Sequence, residues 1–364
     1  MRVGSAAQGS TGRPARDPGP ILIALLAAWL GVLMGGSVSA APPGQTDSHL
    51  GQIQNPLAAA DAADDLARLK ALEHQIEEGK YEEVVPPLQA YLKDYPKSSR
   101  GHYDLGYVLF RIHRIGESVR ELSDSLKLDL KNAEAHKILA LDCNILGRYD
   151  LAEPELETAV RLKPESAEIH YLLGRLYYTK GVYPLAQREF EAAIRLDPTY
   201  MKAHNNLGLT MEVLGNNEAA LKYYTKAVQL DEEQKLNSEW PFVYLSAFYN
   251  RQEKSDLALQ YARKAASINP KSDLAYFQMA KAYRVLGEWE QCADAARKAV
   301  AINPKTPDFF YVLSLALRKL GKSEESQQAM RTFRRLQDED RELAEKRLQN
   351  QRSRPDSMAI RDNE

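Results

Sequence analysis

Cysteine is nearly absent from this chain of 364 residues, which contains only Cys143 and Cys292. Two cysteines are too few to build the disulfide framework that stabilises small secreted domains. Charge of one sign is also lacking, because 48 basic residues face 50 acidic residues and both signs are mixed throughout. A nucleic-acid-binding domain normally carries a basic excess, so no nucleic-acid partner is expected.

Motifs for catalysis or cofactor binding are missing as well. The chain contains neither G-x-S-x-G nor H-E-x-x-H. The triplet Gly321 to Ser323, "GKS", resembles part of a phosphate-binding loop, but the required glycine five residues earlier is Ala316. We therefore predict no enzymatic activity, no cofactor and no metal site.

Long apolar runs are limited to one, Ile21 to Met34, which is 14 residues long. A membrane-spanning helix needs about 20 apolar residues. Basic residues precede the run and the small residues of "SVSA" follow it, as in a secretory signal peptide. We predict a signal peptide over 1–40 and export to the periplasm, the cell surface or the medium. The alternative is an uncleaved anchor over 21–40, which would be the chain's only attachment to a membrane.

A period of 34 residues organises the rest of the chain. His102, His136, His170 and His204 share this spacing, and each stands three residues before a leucine. Glycine, alanine and proline recur in further columns with the same period. Self-similarity at this period is typical of helix-turn-helix repeats that stack into a solenoid.

The repeat resembles the tetratricopeptide repeat, whose pattern is W-x2-L-G-x2-Y, then A-x3-F, then A and P. The fourth unit matches it everywhere except at the tryptophan column, through His170, Leu173, Gly174, Tyr177, Ala186, Phe190, Ala193 and Pro198. The resemblance implies an all-α, right-handed superhelical solenoid. We place it at 56–352, with units at 65–98, 99–132, 133–166, 167–200, 201–234, 239–272, 273–306 and 307–340.

The four histidines occupy the tryptophan column, which other units fill with rings such as Phe242 and Tyr276. Zinc requires ligand nitrogens within about 2.1 Å of one ion, whereas stacked units lie about 10 Å apart. We therefore interpret the histidines as packing residues and expect His170→Phe to be nearly neutral.

The ends of the solenoid lack a neighbouring unit on one side. Large residues accordingly replace small ones there, including Leu72, Tyr91 and Phe333. A charged helix after the eighth unit is expected to cover the last face and to end near Arg352. Residues 41–55 and 353–364 are predicted to be disordered.

In this family the first helix of each unit lines a groove. We define the groove face as the second, fifth, sixth, ninth, twelfth and thirteenth residues of each unit. Aromatic, arginine and amide side chains there have the composition of a recognition surface. The competing interpretation is that the tyrosines only pack against neighbouring helices. The candidate partner-binding residues are Tyr103, Tyr107, Arg111, Tyr171, Arg175, Tyr178, Asn205, Asn206, Asn250, Arg251, Phe277, Lys281, Arg284, Tyr311 and Arg318.

Charge on the groove face is uneven. Units five to eight present six basic residues against two acidic ones, Glu212 and Asp308. A concave wall of one sign attracts the opposite charge. We predict a non-catalytic scaffold that binds a protein or peptide with an acidic or C-terminal carboxylate segment in the cell envelope. The alternatives are a groove that holds carbohydrate for envelope polymer export, and solvated charges without a ligand.

Overall fold

The structure is a computed structural model that describes residues 56–353. Within this range the chain forms sixteen α-helices and no strand, and the helices pair into eight helix-turn-helix units. The predicted all-α solenoid of eight units is confirmed. The helices are α1 Pro56–Glu77, α2 Tyr81–Asp94, α3 Ser99–Arg111, α4 Ile115–Leu128, α5 Ala133–Ile145, α6 Tyr149–Leu162, α7 Ala167–Thr179, α8 Tyr183–Leu196, α9 Met201–Val213, α10 Asn217–Gln234, α11 Trp240–Arg251, α12 Ser255–Ile268, α13 Asp273–Leu286, α14 Trp289–Ile302, α15 Pro307–Lys319 and α16 Ser323–Ser353.

The predicted segments 1–40 and 41–55 and all but the first residue of 353–364 lie outside the described residues. No helix in the described range is both long and apolar enough to cross a membrane.

Each unit is closed by a tight turn that has a left-handed residue at its fifteenth position. Six units use glycine there, with φ between 72° and 81° in Gly79, Gly147, Gly181, Gly215, Gly287 and Gly321. Glycine adopts this conformation without steric cost. Units two and six instead place His113 at φ 62° and Glu253 at φ 58°.

The two helices of a unit approach closely where the eighth residue is glycine. A Cβ atom on Gly174 would lie 2.8 Å from the ring of Phe190, and one on Gly208 would lie 2.8 Å from Tyr224. Glycine on the first helix therefore makes room for a large ring on the second helix. In units six and seven the eighth residue is larger than glycine, and the position that corresponds to Phe190 and Tyr224 is alanine.

The columns of small residues are buried where helices of neighbouring units meet. Ala152, Ala186, Ala193 and Ala227 are fully buried. Cys143 and Cys292 are buried free thiols, as predicted from their interior columns.

The last helix continues the second helix of unit eight without a break. Among residues 323–346 of this helix, Leu336 is the last buried one, and every residue from 337 to 346 is exposed. The expectation that this extension covers the final face is therefore wrong for these residues. Their charged sequence explains why they need no apolar partner.

Candidate functional site: the groove face

First helices of neighbouring units lie side by side, and the Lys137–Glu168 ion pair joins those of units three and four, so their side chains form a continuous surface. In its N-terminal part the charges are already paired. The Lys137 ammonium lies 2.6 Å from Glu134 and 2.9 Å from Glu168, and Glu134 also accepts from Lys163 at 2.9 Å. Burial alone would lower the pKa of Lys137, but the two carboxylates raise it. This cluster therefore offers little uncompensated charge to a partner.

The predicted site residues of unit two contact each other. The Arg111 guanidinium lies 4.4 Å above the Tyr81 ring and donates to the Tyr107 hydroxyl at 2.5 Å. The rings of Tyr103 and Tyr107 stack with their centroids 6.4 Å apart. This cluster gives Arg111 both an aromatic and a hydroxyl partner within the chain.

An aromatic cluster follows at the junction of units four and five. Tyr171 is buried and lies 5.0 Å from Tyr200, and the Arg175 guanidinium lies 5.7 Å from the Tyr171 ring centroid. Asn206 donates to the backbone carbonyl of Lys202 at 2.9 Å. Burial and the neighbouring Arg175 lower the pKa of Lys202, so a second cation lies close to Arg175.

Sequence analysis missed Tyr200 because it lies outside the groove positions. It directly precedes α9, where Ser98, Asn132, Ser166 and Ser272 cap the corresponding first helices with a side-chain hydrogen bond. Tyr200 makes no such bond. An aromatic residue in a capping column was the available signal.

Units five and six are joined by a partly exposed ion pair. Arg251 donates to both carboxylate oxygens of Glu212, one of them at 2.7 Å, and Tyr224 donates to the same carboxylate at 3.0 Å. Burial raises the pKa of Tyr178, and so does nearby Glu212. Arg251 is therefore compensated, although the sequence placed it among the free cations of the groove.

Lys281 has a different environment. It is partly buried and makes no hydrogen bond or ion pair with any described residue. Its ammonium lies 5.4 Å from the centroid of the Phe277 ring. Burial, together with nearby Arg251 and Arg284, lowers the pKa of Lys281 to about 8. Asp308 raises the pKa of Lys281, but burial raises the pKa of Asp308 itself.

The three predicted asparagines are buried. Asn250 links units six and seven by donating to the Gln278 backbone at 2.9 Å and to its side chain at 3.0 Å. The side-chain oxygens of Asn205 and Asn250 have no hydrogen-bond partner within the part of the chain that the structure describes. The other predicted residues are Phe277, Tyr178, Tyr311, Arg284 and Arg318: the first two are buried and the last three are exposed.

The histidine column carries charge that sequence analysis did not foresee. In His102, His136 and His170, Nε2 faces a backbone carbonyl at 3.1–3.2 Å and Nδ1 faces Glu121, Glu155 or Glu189 at 2.5–2.8 Å. A carbonyl and a carboxylate both accept, an arrangement that favours a ring protonated on both nitrogens. Against the effect of burial, the hydrogen bonds to Glu155 and to the Leu130 carbonyl raise the pKa of His136. His204 lies opposite Tyr223, and its Nδ1 has no partner among the described residues.

The expectation that His170→Phe is nearly neutral therefore does not follow from the structure. The hydrogen bond that His170 Nδ1 donates to Glu189 raises the pKa of His170. Glutamates 121, 155 and 189 form a second column with the same period, and this column changes to tyrosine at 223, opposite His204. That pattern was a readable signal.

No group of three metal-ligating side chains occurs in the described part of the chain.

Models of the tetratricopeptide repeat match the middle of the chain, over 142–181 and 174–212 (TPR repeat) and over 201–234 (Tetratricopeptide repeat). The chain therefore contains tetratricopeptide repeats. No curated protein matches it by sequence.

Solved repeat structures give the same fold. A tetratricopeptide repeat protein from Parabacteroides merdae is 17% identical, with 70% of this chain and 98% of that chain covered and a TM-score of 0.57. The APC/C hetero-tetramer Cut9-Hcn1 is 18% identical over 68% of this chain and 48% of that chain, with a TM-score of 0.57. YrrB, described as a TPR protein with an unusual peptide-binding site, is 20% identical over 50% of this chain and 94% of that chain, with a TM-score of 0.43. At these identities the likeness concerns the fold.

Proposed function

We propose that this tetratricopeptide repeat protein is a non-catalytic scaffold that binds an acidic segment of a partner protein along its groove face. The described residues are used almost entirely by the stacked repeats, whose first helices present one continuous surface. Such a surface suits an extended binding partner better than a small substrate.

The observation that carries the proposal is the unpaired Lys281 ammonium. Ammonium groups are rarely buried without a partner, because loss of hydration is costly. A carboxylate from a partner would supply the missing charge, and Arg284 on the next turn of α13 is exposed and available to the same group. We therefore expect the acidic or C-terminal carboxylate segment to bind units six to eight.

The apolar contact at this place differs from the one the sequence suggested. The Phe277 ring is buried beneath Lys281 and packs on Phe309 at 4.8 Å. Tyr311 is 42% exposed and is a better candidate for contact with a partner's apolar side chain.

Carbohydrate binding, the alternative from the sequence, requires open aromatic faces for stacking. Tyr171, Tyr178 and Tyr244 are each no more than 8% exposed. The groove tyrosines of units four to six thus serve mainly as packing residues, which favours a peptide over a sugar.

The test compares a labelled peptide of alternating Glu and Gly with a matched peptide in which Gln replaces Glu. We expect the wild-type protein to prefer the acidic peptide and to lose affinity as salt rises. Lys281→Glu with Arg284→Glu should weaken binding at least tenfold without changing helicity or melting temperature. Lys222→Glu with Lys271→Glu changes two exposed lysines by the same charge and is the control.

A pH titration gives an independent check of Lys281. Because a bound carboxylate favours the ammonium form, binding raises the pKa of Lys281 from about 8. Affinity should therefore fall as the pH rises through 8. Equal affinity for the two peptides, or binding that the double reversal leaves unchanged, would exclude this part of the groove as the site.

A further inference from the structure

Two places on the groove face share one arrangement of side chains. In unit four the ring of Tyr171 at the fifth position lies under the guanidinium of Arg175 at the ninth, 5.7 Å from ring centroid to Cζ. In unit seven the ring of Phe277 at the fifth position lies under the ammonium of Lys281 at the ninth, 5.4 Å from ring centroid to Nζ. Both rings are buried, so in each pair the cation covers the ring on its outer side.

Each place also brings a second cation close to the first. Lys202, from the next unit, is close enough to Arg175 for the pKa of its ammonium to be lowered. Arg284, one turn further along α13, acts on Lys281 in the same way. Neither Lys202 nor Lys281 makes a side-chain hydrogen bond or ion pair within residues 66–346, so neither ammonium has a direct partner there. Glu168 near Lys202 and Asp308 near Lys281 act on these charges only from a distance.

The surface between these two places is neutral. Arg251 donates to both carboxylate oxygens of Glu212 there, and the Tyr224 hydroxyl donates to the same carboxylate. The two ammonium groups that lack a direct partner, those of Lys202 and Lys281, therefore lie at two separate points of the groove face. A continuous basic strip would have lacked this compensated segment.

We propose that the groove face contains two anion anchors that bind two acidic positions of one extended segment. The first anchor is Tyr171, Arg175 and Lys202, and the second anchor is Phe277, Lys281 and Arg284. The inference rests on the proposed function and adds the number of contacts and their spacing. The recognised partner is a peptide with two acidic groups joined by a stretch without net charge.

The repeat geometry sets the spacing of those acidic groups. The anchors are two to three units apart, and with about 10 Å between neighbouring first helices they are roughly 20–30 Å apart. An extended chain advances about 3.3–3.6 Å per residue. The acidic positions of the segment should therefore be about six to nine residues apart.

The test uses Gly-Ser peptides that carry either one Glu-Glu pair or two pairs, separated by about three, eight or sixteen residues. A second contact made within one molecule raises the overall affinity strongly when the linker matches the span. We expect the two-pair peptide with a separation of about eight to bind at least tenfold more tightly than the one-pair peptide. Lys202→Gln with Arg175→Gln, or Lys281→Gln with Arg284→Gln, should each abolish that advantage, and Lys222→Gln with Lys271→Gln should not.

The outcomes separate this inference from the proposed function. Equal binding of one-pair and two-pair peptides at every separation would refute the two anchors while leaving a single acidic site. The tightest binding at a separation of about sixteen would refute the extended conformation, because a helix rises only about 1.5 Å per residue. If no acidic peptide binds at all, the acidic-segment function itself fails. Glutamine substitutions remove the charge and keep a polar, flexible side chain, and melting curves verify that each variant is folded.

Discussion

At the scale of single residues, the histidine column combines packing with charge. His170 and Glu189 form a largely buried imidazolium-carboxylate pair with 2.7 Å between Nδ1 and Oε2. His204 fills the same position in the next unit but faces a tyrosine ring at 6.1 Å. One repeat position thus accommodates an ionic and a neutral version of the same side chain.

This difference predicts opposite responses to one substitution. His170→Phe should lower the free energy of unfolding by about 1–3 kcal/mol at pH 6, because Glu189 keeps only Arg188 as a partner. His204→Phe should be nearly neutral, since no carboxylate depends on that ring. Urea unfolding of both variants measures the difference, and equal effects would contradict the ion-pair argument.

The sign of the pH dependence follows from the raised pKa of His170. The pair contributes fully below the unfolded pKa of about 6.5, and its contribution is lost as the pH rises through the folded pKa. The gap between wild type and His170→Phe should therefore shrink in mildly alkaline buffer.

A second residue-scale prediction concerns Asp142, which is fully buried at a column that is apolar in most units. Ser118 lies 2.5 Å from its carboxyl and 2.8 Å from the Gly106 carbonyl. The single hydroxyl hydrogen of Ser118 cannot be donated to both acceptors. A protonated Asp142 carboxyl donates to Ser118, which leaves the Ser118 hydroxyl to donate to the Gly106 carbonyl. Burial raises the pKa of Asp142 to about 7.

Because the folded pKa exceeds the unfolded value of about 3.9, wild-type stability from this group falls as the pH rises from about 4 to about 7. Asp142→Asn should remove that slope. At pH 8 it should raise the free energy of unfolding by about 2 kcal/mol, while at pH 4 it should change little. Denaturant unfolding at the two pH values measures both; an equal effect at each would show that the carboxyl is not held protonated.

At the scale of helices, stability depends on how closely neighbouring elements approach. Ala193 is fully buried in α8 and belongs to the column where helices of adjacent units meet. Ala193→Leu should overpack this contact and destabilise the protein by about 1–3 kcal/mol. Arg195→Leu, at an exposed position of the same helix, is the control for thermal unfolding. If both variants have the same melting temperature, close packing at this alanine column does not limit the stability of the protein.

At the scale of the whole molecule, the remaining prediction concerns export and lies outside the described residues. The short apolar run and "SVSA" predict cleavage after Ala40. N-terminal sequencing of protein recovered from the envelope fraction should begin at Ala41 or within a few residues. An intact Met1 in the membrane fraction would instead support the anchor over 21–40.

The sequence by itself determined the repeat, because stacking imposes the same steric demand on every unit and leaves a column for each demand. Turn glycines, small crossing residues and ring positions were all readable from the period of 34. Side-chain partners were mostly not readable, since a periodic pattern says which face a residue occupies and not what lies opposite. Glu212 and Arg251 are 39 residues apart and meet only because two first helices lie side by side. That contact removed one cation from the predicted basic groove, and the tertiary structure alone decided that Lys281 would be left without a partner.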